Sequence, residues 1–311
     1  MPTHIVQSPQ WGRFKSEYGT LAVRVGSIQY TKHKIPFTSN YYAYCPRVSP
    51  FVIDFSLLKK SAEENSCINV NFDVPNIVKG SPEEAKATQV FEDHCVKAPR
   101  NQFDKYNFLL DISKSEEELL ENMHSKHRYN IKLAQKSKVG VREGTTREDF
   151  EMFYSLYKDT AERQKYYIHP KTYYQKMWDI LHSEGMAYLL VARFNGEPLA
   201  SWMLFVYDGV LYYPYGGSSE KHKNLMASNL IGWEAIRFGK EKGCRTYDMW
   251  GGCKDLSDRS DPYWGFSNFK AKFGGTPVEY LDSYDFVVNQ SVYQVFNFAN
   301  NVRWKLLGLL K

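Results

Sequence analysis

The sequence predicts a two-domain α/β protein, on three observations. Its 311 residues exceed one ordinary domain, and 43% hydrophobic residues with 16% aromatics supply apolar mass for two packed cores. Runs with strand character alternate with helical patterns along the whole chain. The polar, proline-containing segment Lys97–Asp104 separates one such series from a second that opens on a new strand. No tandem repeat appears at the solenoid periods of about 20–50 residues, and no low-complexity tract interrupts the pattern.

The first series reads as a helix over Ser8–Tyr18, β-rich material over Leu21–Tyr30 and Asn40–Arg47, a helix over Phe55–Asn65 and a strand over Cys67–Phe72. The second opens with a strand over Asn107–Ile112. Ser115 followed by Glu118 is a capping box that launches a helix carrying Leu119, Leu120 and Met123. Next comes the most basic stretch, His124–Lys138, which sets Lys126, His127, Arg128, Lys132, Lys136 and Lys138 around a helix without any acid. Helices over Arg147–Arg163 and Pro170–His182 follow. Strands Met186–Phe194 and Leu199–Tyr207 are joined through Asn195-Gly196, a strong hairpin signal. Strand Val210–Tyr215 then runs into a glycine turn, Gly216-Gly217-Ser218-Ser219, before a helix over Met226–Lys242 and a strand over Cys244–Met249.

Charge and cysteine content narrow the function. With 40 Lys and Arg against 35 Asp and Glu, a net charge of +5 is too mild for a dedicated DNA-binding protein but allows a local basic face. Five widely spaced cysteines without a Cys-x-x-Cys pair suggest neither a disulfide framework nor a zinc site and fit a reducing cytoplasm. The N-terminus lacks a signal-peptide layout, and no run of about eighteen apolar residues occurs, so a soluble protein is expected. The basic, amphipathic run Val302–Lys311 could touch a membrane surface through Trp304, Leu306, Leu307, Leu309 and Leu310. A terminal helix docked on the core is the favoured reading, because ten residues bury too little for stable anchoring.

No nucleophile elbow, phosphate loop, zinc-protease or dinucleotide signature is present, so neither cofactor nor metal is expected. What stands out is Tyr247-Asp248-Met249-Trp250-Gly251-Gly252, a strand end entering a glycine turn, followed by the loop to Asp261 and then Pro262-Tyr263-Trp264-Gly265-Phe266. The segment Phe266–Gly275 adds Phe266, Phe269 and Phe273 on one helical face, with Lys270 and Lys272 between them. On spacing alone this is an aromatic core stripe with solvated lysines.

The order Tyr-Asp-x-Trp-Gly, Asp-Pro with aromatic-Gly, Phe-Lys-x-x-Phe-Gly-Gly and Val278-Glu279-Tyr280 resembles the C-terminal signature of the Fem family of peptidoglycan bridge-forming aminoacyl transferases. The resemblance extends to Trp11-Gly12-Arg13-Phe14-Lys15, to Ala161-Glu162-Arg163 with Pro170 and Tyr173-Tyr174, and to Tyr215-Gly216-Gly217-Ser218. It implies two tandem acetyltransferase (GNAT)-like α/β domains with mixed central sheets, residues 1–103 with 282–311 and residues 104–281. It also implies transfer of an amino acid from aminoacyl-tRNA to a stem-peptide amine of a nucleotide- or lipid-linked muropeptide. An ester becomes an amide, so alignment and stabilisation of the tetrahedral oxyanion should dominate.

By the same resemblance Lys270 faces the developing oxyanion or the tRNA terminal phosphate, and Phe269 shapes the pocket around it. Lys15 meets precursor phosphates, and Tyr173 and Tyr215 hydrogen-bond the precursor. His169 stands where relatives can carry an arginine, and a neutral imidazole is a weaker phosphate partner. No heptad hairpin appears between Lys138 and Gly216, so the coiled-coil arm of larger relatives is not expected. The basic helix, through Lys126, Arg128, Lys132 and Lys136, reads equally as a tRNA backbone surface and as a solvated face. Asp248 and Asp261 are candidate proton acceptors, with no general base assigned.

Two other functions fit the pattern. One is an acetyl-CoA-dependent N-acyltransferase whose pyrophosphate loop would be Gly216–Ser219. The other is a non-catalytic module binding RNA or a wall precursor.

Overall fold

The computed structural model describes residues 2–309, with side chains through residue 302. The chain divides into two compact units, Thr3–Lys105 with the tail from Tyr280, and Tyr106–Glu279.

In the first unit α1 (Pro9–Glu17) starts at Ser8, whose hydroxyl accepts from the Trp11 amide at 3.1 Å, and Pro9 occupies the first turn, where its missing N–H is no loss. β1 (Ala22–Val25) and β2 (Ile28–Lys34) form a hairpin around Gly26 at φ +55°. The β-rich stretch over Leu21–Tyr30 is therefore two strands, because glycine admits the left-handed turn between them. β3 (Tyr41–Pro46), α2 (Phe55–Glu64), β4 (Cys67–Asp73), α3 (Glu84–His94) and β5 (Val96–Lys97) follow. Only Ala87 and Phe91 of α3 are buried, an apolar stripe too thin to have marked this helix in the sequence.

The second unit opens with β6 (Tyr106–Asp111) and α4 (Glu116–Asn122), which carries the Ser115–Glu118 capping box. α5 (Ser125–Lys136), β7 (Gly140–Gly144), α6 (Arg147–Gln164) and α7 (Lys171–Ser183) lead to β8 (Ala187–Phe194) and β9 (Glu197–Tyr207). The two-residue turn between β8 and β9 places Asn195 at φ 49° and Gly196 at φ 82°, the type I′ geometry that matches strand twist. β10 (Val210–Ser218), α8 (Ala227–Glu241), β11 (Thr246–Asp248), α9 (Trp264–Ala271) and β12 (Thr276–Glu279) complete a sheet ordered β12-β6-β11-β10-β9-β8-β7. Its core includes Phe108, Leu110, Trp202, Leu211, Ile231, Trp233 and Phe273.

β10 departs from the sequence reading. Gly216 and Gly217 lie inside the strand, paired with Trp202 and Ser201, rather than in a turn. A Cβ on Gly217 would come within 2.3–2.4 Å of the Leu156–Tyr157 backbone, so glycine here permits α6 to press against the sheet.

The tail returns to the first unit as β13 (Tyr284–Val287) and α10 (Gln290–Leu309), giving the order β1-β2-β3-β4-β13-β5. The Asp285 carboxylate accepts from Asn69 and Asn71 of β4 at 2.9 and 2.8 Å and from the Tyr293 hydroxyl at 2.7 Å. Among the described residues no helix is long and apolar enough to cross a membrane. Side chains from residue 303 onward, including Trp304, Leu306, Leu307, Leu309 and Leu310, lie outside the described residues.

Candidate functional site

The parallel neighbours β10 and β11 pair only from Val210↔Thr246 to Tyr212↔Asp248. Beyond that point β10 continues to Ser218, whereas the backbone after β11 turns away at Trp250. A sheet whose parallel strands part at their C-terminal ends exposes backbone and side chains to a ligand there.

The departing turn is tightly specified. Trp250 and Gly251 both take positive φ, 51° and 88°. Asp248 Oδ1 accepts from the Trp250 amide at 2.8 Å, and Asn107 Oδ1 accepts from the Gly251 amide at 3.0 Å. Asn107 Nδ2 then donates to Asp248 Oδ1 at 2.6 Å, so the two buried side chains act as one clamp. A left-handed Trp is strained, and the clamp is what holds it.

Lys270 on α9 meets this turn. Its Nζ donates to the carbonyls of Trp250 at 3.1 Å and Gly251 at 2.9 Å, and lies 4.6 Å from the centre of the Phe266 ring. Only 7% of Lys270 is exposed, so the ammonium is held at a fixed point rather than solvated. Ser267, fully buried, accepts from the Cys253 amide and donates to the Tyr263 carbonyl, both at 2.7 Å, fastening the loop before α9 to the helix.

The aromatic stripe is split. α9 ends at Ala271, Phe266 is exposed beside Lys270, and Phe269 and Phe273 pack edge to face on each other at 5.1 Å, with the His127 ring 5.2 Å from Phe269 and 4.6 Å from Phe273. His127 is 4% exposed and its Nε2 sits 3.1 Å from the Phe269 carbonyl. Burial lowers its pKa to about 4, against the smaller opposing pull of that carbonyl, so it is neutral. His127 is therefore no part of the basic face expected over His124–Lys138, because α5 turns it inward. Arg128 also leaves the basic face, because its guanidinium donates to the carbonyls of Leu120, Glu121 and Met123 at the end of α4. Lys126, Lys132 and Lys136 remain exposed.

A second cluster surrounds Tyr215 on β10. Tyr174 packs edge to face on it at 5.1 Å, Tyr157 lies at 5.7 Å, and His169 stacks on Tyr173 at 4.1 Å. The His169 amide donates to the Tyr174 hydroxyl at 3.2 Å. Burial, then the neighbouring Tyr174 and Tyr215 hydroxyls, hold the Tyr157 phenol far above its usual range, and burial raises Tyr166 to about 12. These phenols are neutral hydrogen-bonding groups at any physiological pH. Beside them Tyr154, Lys158, Ala161, Tyr166, His169 and Pro170 line a cavity of about 390 Å³.

The structure thus brings His169, Tyr173 and Tyr215 into one cluster, and Phe205 links it to the Lys270 turn through ring contacts of 6.2 Å to Tyr215 and 6.4 Å to Trp250. Lys15 belongs to the first unit, in the last turn of α1; it is half-buried, and burial lowers its pKa. Of the two aspartates, Asp248 is committed to the clamp and Asp261 accepts from the Tyr263 amide at 2.7 Å. Sequence reasoning missed Asn107 and His127; neither has a motif, and only the pairing of β6 with β11 and the packing of α5 on α9 reveal them.

Gly216–Ser219 cannot cradle a pyrophosphate as a loop would. Gly216 and Gly217 lie in the β9–β10 ladder, the Ser218 amide donates to Thr160 Oγ1 at 2.9 Å, and the Ser219 amide donates to the Leu199 carbonyl at 2.8 Å. The acetyl-CoA reading loses its only candidate loop. Among the described residues, no three His, Cys, Asp or Glu side chains gather where they could hold a metal ion.

Residues 122–259 match the acetyltransferase (GNAT) domain family. The crystal structure of FemX superposes with a TM-score of 0.81 at 19% identity, covering 94% of each chain. L-PGS from Bacillus licheniformis superposes with a TM-score of 0.56 at 13% identity, covering 91% of this chain and 93% of that one. The fold is therefore that of FemX, an α/β chain whose second unit contains the stretch matching the GNAT domain family.

In sequence, the lipid II:glycine glycyltransferases of Staphylococcus haemolyticus and Staphylococcus aureus (strain USA300) are both 22% identical. Each match covers 61% of this chain; the chain spans 60% of the S. haemolyticus relative and 61% of the S. aureus one. The resemblance to the Fem family carried by the motifs is borne out in sequence and in fold.

Proposed function

We propose that this chain is an aminoacyl transferase of peptidoglycan bridge formation, moving an amino acid from aminoacyl-tRNA to a stem-peptide amine of a nucleotide- or lipid-linked muropeptide. The observation that carries the reading is the fixed ammonium of Lys270 at the open end of the β10–β11 pair. The similarity to lipid II:glycine glycyltransferases supports the acceptor class.

The acceptor amine attacks the ester carbonyl, forming a C–N bond and a tetrahedral oxyanion; collapse breaks the ester C–O bond, and the proton lost by the attacking nitrogen passes to the ribose oxygen, which leaves as the hydroxyl of the tRNA. Lys270 stabilises the oxyanion electrostatically, and Phe269 backs it. A cation already seated by two carbonyls needs little reorganisation as charge develops, which is where such sites gain most. Tyr215, Tyr173 and His169 form the polar wall along which the precursor lies, and Lys15, on the family resemblance alone, is the candidate for its phosphates. This chemistry assigns the protein to the cytoplasm, at the inner face of the membrane when the acceptor is lipid-linked.

The test is incubation of the purified protein with a mixture of charged tRNAs and both precursor forms, followed by mass spectrometry of the muropeptide. Added aminoacyl mass supports the reading. Absence of product with every pair, or acetylation from acetyl-CoA alone, overturns it.

A further inference from the structure

Once His127 and Arg128 are withdrawn, the outward face of α5 is Lys126, Tyr129, Lys132 and Lys136, spaced three, three and four residues apart and so aligned on one side of the helix. Tyr129 is 66% exposed, whereas His127, Asn130, Ile131 and Ala134 face the core. Among the described residues none of these three lysines forms an ion pair. An unneutralised row of ammoniums around a bare aromatic ring is the combination that takes a nucleic-acid strand, phosphates on the cations and a base on the ring.

The placement of this face is as informative as its chemistry. The His124 amide donates to the Lys272 carbonyl at 3.0 Å, and His127 meets the Phe269 carbonyl, so the first turn of α5 is fastened to the end of the helix that carries Lys270. Asn130 Nδ2 donates to Asn229 Oδ1 at 3.2 Å and secures the other side of α5 to α8. From Lys126 to Lys136 the face runs about 15 Å at the helical rise. A strand whose end lies at Lys270 would continue along it.

We infer that the outward face of α5 is the docking surface for the RNA body of the donor, with Tyr129 as a base- or ribose-stacking platform and Lys126, Lys132 and Lys136 as phosphate contacts. This rests on the proposed aminoacyl-tRNA chemistry for its role in transfer, but RNA binding can be measured without it. An anionic membrane is the less suitable occupant: Ile131 and Ala134 point into the core, leaving only Tyr129 and the half-buried Leu133 to enter the headgroup region, too little apolar surface for anchoring.

The experiment titrates uncharged tRNA by fluorescence anisotropy against wild type, K126A/K132A/K136A, Y129A and Y129F, at several salt concentrations. Transfer is measured from full-length aminoacyl-tRNA and from a short aminoacyl-nucleotide donor. The expected results are a triple variant bound at least about tenfold more weakly, with a log-affinity against log-salt slope smaller by about 2, and Y129A about tenfold weaker with Y129F near wild type. Transfer from the short donor should be unchanged in all three variants. Wild-type tRNA affinity in the triple variant, equal behaviour of Y129A and Y129F, or loss only of binding to phosphatidylglycerol vesicles overturns the inference. A wild type that transfers from neither donor but binds tRNA through this face overturns the enzymatic reading alone.

Discussion

Lys270 Nζ lies 2.9 Å from the carbonyl oxygen of Gly251, a residue 19 positions earlier whose own conformation, φ 88°, is set by Asn107. The cation of the site is thus positioned by backbone, and the backbone by a buried amide side chain on another strand.

Replacing Lys270 by Met keeps most of the volume and removes the charge. Transfer should fall by at least about 100-fold, the scale of losing one preorganised electrostatic group, while stability changes by less than about 2 kcal/mol. Mass-spectrometric transfer assays beside thermal melts check both halves; full transfer in the folded variant removes Lys270 from the site.

Asn107→Ala leaves the Gly251 amide and the Asp248 carboxylate without their partner. A stability loss of about 2–3 kcal/mol is expected, as for other buried groups left unpaired. The transfer rate at saturating substrate should fall further than KM rises, because the variant displaces the cation rather than the binding walls. Unaltered kcat in Asn107→Ala would mean that the turn holds itself.

His127 makes the second unit sensitive to acid. Its folded pKa of about 4 lies below the ordinary 6.5, so the unfolded chain takes up the proton first. The contribution is fully present above pH 6.5 and is lost progressively as pH falls toward 4. Between pH 7 and 4.5 it amounts to about 2–3 kcal/mol. Urea denaturation of wild type and His127→Gln at the two pH values should show a smaller fall in the variant, and equal falls would place the titration elsewhere.

Gly217→Ala forces a Cβ into the α6 backbone at 2.3 Å, whereas Gly140 has nothing within 4 Å of the same added atom. The first substitution should destabilise by at least about 3 kcal/mol and the second by less than about 1 kcal/mol. Denaturant midpoints of the two variants provide the comparison.

These residues also mark what could be read from the chain alone. Asn195-Gly196 and the Ser115–Glu118 box are local chemistry: a left-handed pair fits only one kind of turn, and a capping box only one kind of helix start, so both appear where the sequence put them. Gly216-Gly217 carried the same local signal as a turn, yet the glycines serve close packing of α6 on β10, a relation between segments some 60 residues apart. His127 and Arg128 looked like surface cations because periodicity was judged on charge. Their partners, Phe269 and the carbonyls ending α4, belong to other elements. Lys270 emerged from motif order rather than from spacing, and its seat on two carbonyls was not legible at all.

β13 sits between β4 and β5 and buries Asp285 among the side chains of Asn69 and Asn71. During synthesis the first unit must therefore wait, with the inner edge of β4 unpaired, until residues about 210 positions later leave the ribosome, whereas the second unit already has every strand it needs. Folding order is the reverse of chain order, and a nascent chain halted between β12 and β13 would carry a finished Lys270 site while the sheet edge of the first unit is still open, the condition that favours strand exchange with another copy or capture by a chaperone.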